Sequence, residues 1–148
     1  MMKQKKEADI RFGKFGTVSF TAITKVNDFI DYLENGKVMA TRCNTCNTTF
    51  FPPRADCCHC LSSDVTWQEV IGHGKLISYS RLKFAPIGFD GDLPYCIALL
   101  DYGDYRVFGR IDSALEESDI KIGMMMTTVA NKLANGQLNY VFNKALSS

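Results

Sequence analysis

Two Cys-x-x-Cys motifs constrain this chain more than any other feature of its sequence. Cys43 and Cys46 form the first motif, Cys57 and Cys60 form the second, and ten residues separate the two. Each motif places two thiolates on one side of a tight turn, called a knuckle below. Two facing knuckles complete a tetrahedral sulfur site with Zn–S distances of about 2.3 Å. The spacing therefore predicts a zinc ribbon with these four cysteines as the metal ligands.

The expected role of this metal is structural. Four thiolates leave no open coordination position for water or substrate. Iron is compatible with the same ligands. Cys58 and His59 lie inside the second motif and are possible competitors for the metal. We expect neither to be a ligand, because Cys57 has the regular spacing to Cys60 and His59, in the middle of the knuckle, is expected to face solvent or a partner.

The composition indicates a soluble globular protein without a strong electrostatic field. Of the 148 residues, 46% are hydrophobic and 22% are charged, and the formal net charge is +1. The longest apolar run, Tyr95–Leu100, falls far short of the roughly 20 residues that a membrane span needs. The basic N-terminus lacks the apolar core of a secretory signal. We therefore expect a cytoplasmic protein without membrane contact, in which reduced thiols favour metal binding.

Residues 1–36 are predicted to form an N-terminal arm and a helix. The arm carries Phe12, Phe15 and Phe20. Two interpretations of these rings are open: they pack back onto their own domain, or they dock the arm on a partner subunit.

The helix is predicted from a three- and four-residue apolar repeat. Thr21 is a possible N-cap, and Asn35-Gly36 is a fitting end. Its apolar face is expected either to join the core or to be buried in another protein. The repeating positions are Ala22, Ile23, Val26, Phe29, Ile30 and Leu33.

Residues 37–65 are predicted to form the ribbon and residues 66–148 an all-β domain. Lys37–Arg42 leads into the first knuckle as a strand, and Thr48–Phe51 returns from it. A unit of fewer than 40 residues cannot bury enough surface to fold alone, so we expect the metal to supply the missing stability. Strands of the second unit are predicted at Thr66–Ile71, Lys75–Phe84, Tyr95–Tyr102, Tyr105–Ile111, Met124–Asn131 and Leu138–Asn143.

The predicted fold class is mainly β. Five or six strands, with a short helical segment at Ser113–Asp119, suit a small Greek-key barrel of the OB type. The expected architecture is an N-terminal helical segment, a four-cysteine zinc ribbon and a C-terminal OB-fold β-barrel.

An ordered set of short motifs accompanies the cysteines over about residues 29–142. Together they resemble the zinc-ribbon plus OB-fold family that is numbered thirty-five in the domain-of-unknown-function series. Proline and arginine between the two cysteine pairs make the set far more specific than the cysteines alone. The motifs are Tyr32–Lys37, Arg42–Asn47, Phe51-Pro-Pro-Arg54, Gly72-His-Gly74, Leu93-Pro-Tyr95, Phe108-Gly-Arg110 and Ile122-Gly-Met124.

The resemblance implies a non-catalytic accessory subunit of an acyl-CoA enzyme. The family's usual partners are thiolase-fold proteins, either thiolases or synthases, and some members join hydratase-like subunits. It implies support for assembly and a role in shaping access for acyl-CoA or its CoA moiety. This sequence departs from the family at the position after each knuckle, which is often glycine. Asn47 tolerates the left-handed conformation expected there, whereas Leu61 fits it less easily.

Two other functions are less compatible with this sequence. An OB module that binds single-stranded nucleic acid needs a basic groove, but residues 66–142 contain seven basic and nine acidic side chains. A stand-alone metal-dependent hydrolase needs an open metal site. No nucleophile motif or phosphate loop is present. His73 is interpreted as a turn residue and Cys96 as a small core residue.

The loop Phe84–Pro94 is long for a hairpin and carries apolar side chains. We hypothesise that it contacts the partner near the acyl-CoA entrance, so that Phe89→Asp weakens association without changing zinc content. The acidic pairs Asp90/Asp92 and Glu116/Glu117 are interpreted as solvated surface.

Overall fold

The computed structural model describes residues 9–17, 24–85, 87–88, 91 and 93–145. It confirms a mainly β fold with a ribbon, one helix and a closed five-stranded barrel. None of its helices is long and apolar enough to cross a membrane. Short 3-10 turns lie at Arg11–Lys14 and Glu117–Asp119. The helix and strands are α1 Asp28–Glu34, β1 Met39–Cys43, β2 Thr49–Phe50, β3 Val65–Glu69, β4 Gly74–Leu82, β5 Tyr95–Asp101, β6 Arg106–Ile111, β7 Met125–Lys132 and β8 Leu138–Lys144.

The ribbon is a three-stranded sheet in the order β2-β1-β3. Its third strand corrects a prediction, because we expected Thr66–Ile71 to begin the barrel. The strand instead pairs with β1 over five positions, from Met39↔Glu69 to Cys43↔Val65. The chain then turns at Gly72, where φ is +80°, and enters the barrel. The division of the chain at residue 65 remains a prediction.

The barrel closes in the order β4-β5-β6-β8-β7. β6 and β8 run parallel, whereas every other neighbouring pair of this barrel is antiparallel. This strand order is that of an OB fold. Its interior is filled by inward side chains such as Leu76, Leu100 and Phe142, which are fully buried. The predicted helical segment Ser113–Asp119 contains only the 3-10 turn.

The helix α1 is shorter than predicted. Thr24 to Asn27 are not helical, and Thr21, Ala22 and Ile23 lie outside the described residues. The Thr24 hydroxyl accepts the Val26 backbone N–H at 3.3 Å, and the Asn27 amide donates to the Thr24 carbonyl at 2.6 Å. These local bonds compete with a helical start. The predicted end is confirmed, with Gly36 at φ +80°.

Residues 9–17, the described part of the N-terminal arm, pack back onto their own chain. The ring of Phe12 stacks on that of Phe29 at 6.0 Å, and Phe15 meets Phe29 edge-on at 5.8 Å. Phe20 lies outside the described residues. The Arg11 guanidinium also pairs with the carboxylates of Asp28 and Asp31 in α1. For Phe12 and Phe15, the first of the two interpretations is therefore confirmed.

One glycine is required where β6 meets β8. A Cβ at Gly109 would lie 2.6 Å from a ring carbon of Tyr140. That ring is held in place, because its hydroxyl donates to the Phe108 carbonyl at 2.6 Å. We expect Gly109→Ala to lower the free energy of unfolding by about 1–3 kcal/mol in urea titrations, since the ring has to move. Gly13→Ala is the control, because no atom lies within 4 Å of its added Cβ; an equal loss in both variants would contradict this account.

Candidate metal centre and adjoining cleft

The two knuckles present the four cysteines from similar turns. In the first, the Asn47 backbone N–H donates to the Cys43 carbonyl at 2.9 Å. In the second, the Leu61 N–H donates to the Cys57 carbonyl at 3.0 Å. Asn47 and Leu61 have φ values of 62° and 61°, so both closing positions are left-handed. This conformation was expected at both positions from the glycine that the family often carries there.

The structure brings the four predicted cysteines together. Their Sγ atoms all lie within 4.8 Å of one another, and Cys43–Cys60 and Cys46–Cys57 are each separated by 3.5 Å. Sulfurs around a tetrahedral zinc with Zn–S bonds of about 2.3 Å lie about 3.8 Å apart. The donor set and its spacing therefore fit a structural zinc ion.

The two possible competitors stand outside this cluster. Cys58 is exposed and is not among the grouped thiols. The imidazole of His59 is stacked on the Phe50 ring, with centroids 6.0 Å apart. The Arg54 guanidinium lies 5.6 Å from the centroid of the same ring. His59 therefore packs on Phe50 at the surface of the ribbon, away from the four sulfurs.

Hydrogen bonds and neighbouring thiols shift the pKa values of Cys43, Cys46 and Cys60. The Thr48 hydroxyl and backbone lower the pKa of Cys46 to about 6, and the Cys46 backbone N–H lowers the pKa of Cys43. The pKa of Cys60 is raised to about 12: a backbone hydrogen bond from Ser62 lowers it, but desolvation and the neighbouring thiols outweigh that effect. A divalent cation among the sulfurs stabilises the thiolate form of all four.

A cleft of about 860 Å³ opens on the barrel, beside the β4–β5 loop and the β6–β7 connection. Arg81 pairs with Glu117 at its wall, and the Arg110 guanidinium lies 4.1 Å from the Tyr95 ring centroid. Three basic and three acidic side chains line it: Arg81, Arg110, Lys132, Asp112, Glu116 and Glu117. The sequence did not predict this cleft, because its walls come from segments that are distant along the chain. The motifs Leu93-Pro-Tyr95 and Phe108-Gly-Arg110 each contribute residues to its lining.

The other residues that the sequence analysis named lie at the core edge, in a turn and in the β4–β5 loop. Cys96 is half-buried, packing against the core and also lining the cleft, where burial raises the pKa of its thiol. The predicted core residue Cys96 therefore lies at the edge of the core. His73 is exposed, as a turn residue would be. Phe84 and Ile87 are 89% and 95% exposed in the β4–β5 loop. Phe89, Asp90 and Asp92 lie outside the described residues.

Comparisons with known proteins agree with this architecture. Residues 31–66 match the rubredoxin-like zinc ribbon domain of ChsH2, and residues 67–131 match the ChsH2 C-terminal OB-fold domain. A DUF35 domain-containing scaffold protein of Methanocaldococcus jannaschii is 31% identical over 65% of this chain and 69% of its own length. A protein of the same description from Pyrococcus furiosus is 30% identical over 56% of this chain and 61% of its own length.

Two solved structures have a similar fold. The chain resembles one from a structure described as Ltp2-ChsH2(DUF35) aldolase, with a TM-score of 0.69 and 26% identity over 85% of this chain and 99% of the other. A DUF35 protein of unknown function from Sulfolobus solfataricus shares the fold, with a TM-score of 0.50 and 19% identity over 80% of this chain and 81% of the other. The chain belongs to the DUF35 family of zinc-ribbon and OB-fold proteins.

Proposed function

We propose that this protein is a non-catalytic, zinc-binding subunit of an acyl-CoA-processing complex. Its partner is a thiolase-fold enzyme, either a thiolase or a synthase, that supplies the catalytic groups. The subunit supports assembly of the complex and contacts the acyl-CoA or its CoA moiety at or near the shared interface.

The observation that carries the assembly role is the resemblance to the Ltp2-ChsH2(DUF35) aldolase chain over 85% of the molecule. The thiolase-fold partner and the acyl-CoA contact rest on the family resemblance of the sequence motifs. That description couples a DUF35 protein to a second named protein. The archaeal relatives are described as scaffold proteins, which fits an assembly role. A sulfur-only metal site with no open position also favours a structural subunit over an independent enzyme.

In this proposal, Cys43, Cys46, Cys57 and Cys60 hold a structural zinc ion. The ion ties β1 to the second knuckle and so supports the ribbon sheet, in which β1 is the central strand. Helix α1 contacts β1 as well as β7 and β8 of the barrel. The metal thus stabilises β1, the ribbon strand that α1 contacts.

The cleft on the barrel is the proposed contact site for coenzyme A. Its size is in the range of small-molecule sites, and its basic side chains suit the phosphates of CoA. Lys132 is an exposed cation that lines the cleft, so we expect Lys132→Ala to weaken CoA binding by about two- to fivefold in calorimetric titrations of the complex. The control is Lys37→Ala, an exposed lysine that does not line the cleft. Equal affinities of both variants and wild type would contradict a CoA site here.

Reconstitution tests the assembly role. The purified chain and a co-expressed thiolase-fold protein are run together on size-exclusion chromatography with light scattering. The proposal predicts one peak with a fixed mass ratio and no acyl transfer by the isolated DUF35 chain. Turnover by that chain alone would contradict a non-catalytic role.

A further inference from the structure

Two asparagines that line the barrel cleft are bonded to each other and are called the amide pair below. Asn131 in β7 lies directly opposite Asn139 in β8. The Asn131 amide nitrogen donates to the Asn139 side-chain carbonyl at 2.9 Å. Asn131 is exposed, whereas Asn139 is only 9% exposed. The cleft therefore has a fixed, largely buried amide in its lining.

The amide pair keeps one donor and one acceptor for another molecule. An asparagine side chain carries one carbonyl oxygen and one NH2 group, and the bond within the pair uses the Asn131 nitrogen and the Asn139 oxygen. Among the described residues, none accepts a hydrogen bond from the Asn139 side-chain nitrogen, and none donates to the Asn131 side-chain oxygen. A largely buried amide with an unused donor favours a ligand that supplies the missing partner.

A flat cationic surface lies next to the amide pair. The Arg110 guanidinium lies 4.1 Å from the centroid of the Tyr95 ring, and both residues line the cleft. Arg110 is aligned with Val141 across β6 and β8, and Val141 is two residues from Asn139 on the same face of β8. Regular strand spacings place the Cα atoms of Arg110 and Asn139 about 8 Å apart. Nucleobases stack on aromatic and guanidinium planes, so a base suits this part of the cleft.

We propose that the amide pair recognises the adenine ring of CoA. The inference rests on the proposed function, which supplies CoA as the ligand. Adenine presents an amino donor beside a ring nitrogen that accepts. Asn139 donates to that ring nitrogen, and the Asn131 carbonyl accepts from the amino group.

The surroundings of the pair favour the nucleotide half of CoA over its pantetheine half. Pantetheine also carries amides, but it has no ring to stack beside Arg110 and Tyr95. The exposed Lys132 follows Asn131 and lines the cleft as well, so its charge suits a phosphate of the same nucleotide.

A comparison of two nucleotides tests this assignment on the wild-type protein. The full-length, zinc-loaded chain is titrated in a calorimeter with adenosine bisphosphate, the nucleotide portion of CoA, and with its inosine counterpart. The two ligands have the same charge, but inosine has an oxygen acceptor in place of the amino donor. We expect adenosine bisphosphate to displace CoA and to bind at least about fivefold more tightly than the inosine nucleotide.

Two variants connect this preference to the amide pair. Asn131→Ala removes the unused carbonyl at an exposed position, and Asn139→Asp exchanges the unused NH2 group for a second oxygen. Both are expected to abolish the preference for adenosine over inosine. The control is Asn135→Asp, which adds the same charge at an exposed residue of the same hairpin that does not line the cleft. It should keep the preference of wild type.

Each contrary result has a distinct meaning. Equal affinities of wild type for the two nucleotides overturn adenine recognition, while CoA binding in the cleft stands. Displacement of CoA by pantetheine but not by adenosine bisphosphate assigns the cleft to the other half of CoA, and tighter binding of ATP assigns it to a different nucleotide; both overturn the inference. If CoA itself does not bind this chain, the inference fails together with the proposed CoA contact, and the assembly role is decided separately by reconstitution.

Discussion

Cys43→Ala is expected to abolish zinc binding and to unfold the ribbon. Cys43 is fully buried at the end of β1, and its thiol is one of the four clustered sulfurs. Structural zinc in small sites contributes apparent binding free energies of about 10–16 kcal/mol near neutral pH, and folding of such sites depends on it. We expect metal analysis to fall from one zinc per chain to none, and amide exchange to lose protection across β1, β2 and β3.

Cys58→Ala is the matched control for this experiment. Cys58 lies in the second knuckle but outside the sulfur cluster, and it is exposed. It should retain one zinc per chain and the exchange pattern of wild type. Zinc retained at full occupancy by Cys43→Ala, or lost from Cys58→Ala, would show that the ligands are assigned wrongly.

Phe29→Ala is expected to lower the free energy of unfolding by about 3–5 kcal/mol in urea titrations. Phe29 is 3% exposed and belongs to α1. Its ring lies against four others, with centroids 5.8 to 6.4 Å away. These are Phe12 and Phe15 of the arm, Phe51 after β2, and Tyr140 in β8. Truncation therefore leaves a cavity where the arm, the ribbon and the barrel meet.

Phe84→Ala provides the comparison, because this ring is 89% exposed. Its unfolding free energy should stay within about 0.5 kcal/mol of wild type. A loss of less than about 1 kcal/mol for Phe29→Ala would mean that the aromatic cluster does not hold the three parts together.

Local chemistry made the metal cluster predictable from sequence. Two cysteines of one knuckle are brought together by a turn of a few residues, so their spacing specifies the geometry. The left-handed positions after the knuckles were implied by the glycines that the family often carries there. The helix start was harder to predict, because Thr24 and Asn27 form hydrogen bonds that compete with the apolar repeat.

The pairing of strands that are distant along the chain was harder to predict from the sequence. The segment Val65–Glu69 has the alternating pattern of a strand, but that pattern does not say which sheet it joins. The cleft was missed for the same reason. Arg81, Arg110 and Lys132 are far apart in sequence, and only closure of the barrel brings them to one wall.

The central claim is that this chain works as a subunit of an acyl-CoA enzyme. Native purification of the tagged full-length protein from its own cells, followed by mass spectrometry and native mass measurement, tests it most directly. The account predicts a thiolase-fold enzyme that co-purifies in a fixed stoichiometry and one zinc ion per DUF35 chain. A lone monomer with no acyl-CoA enzyme bound to it would contradict the account.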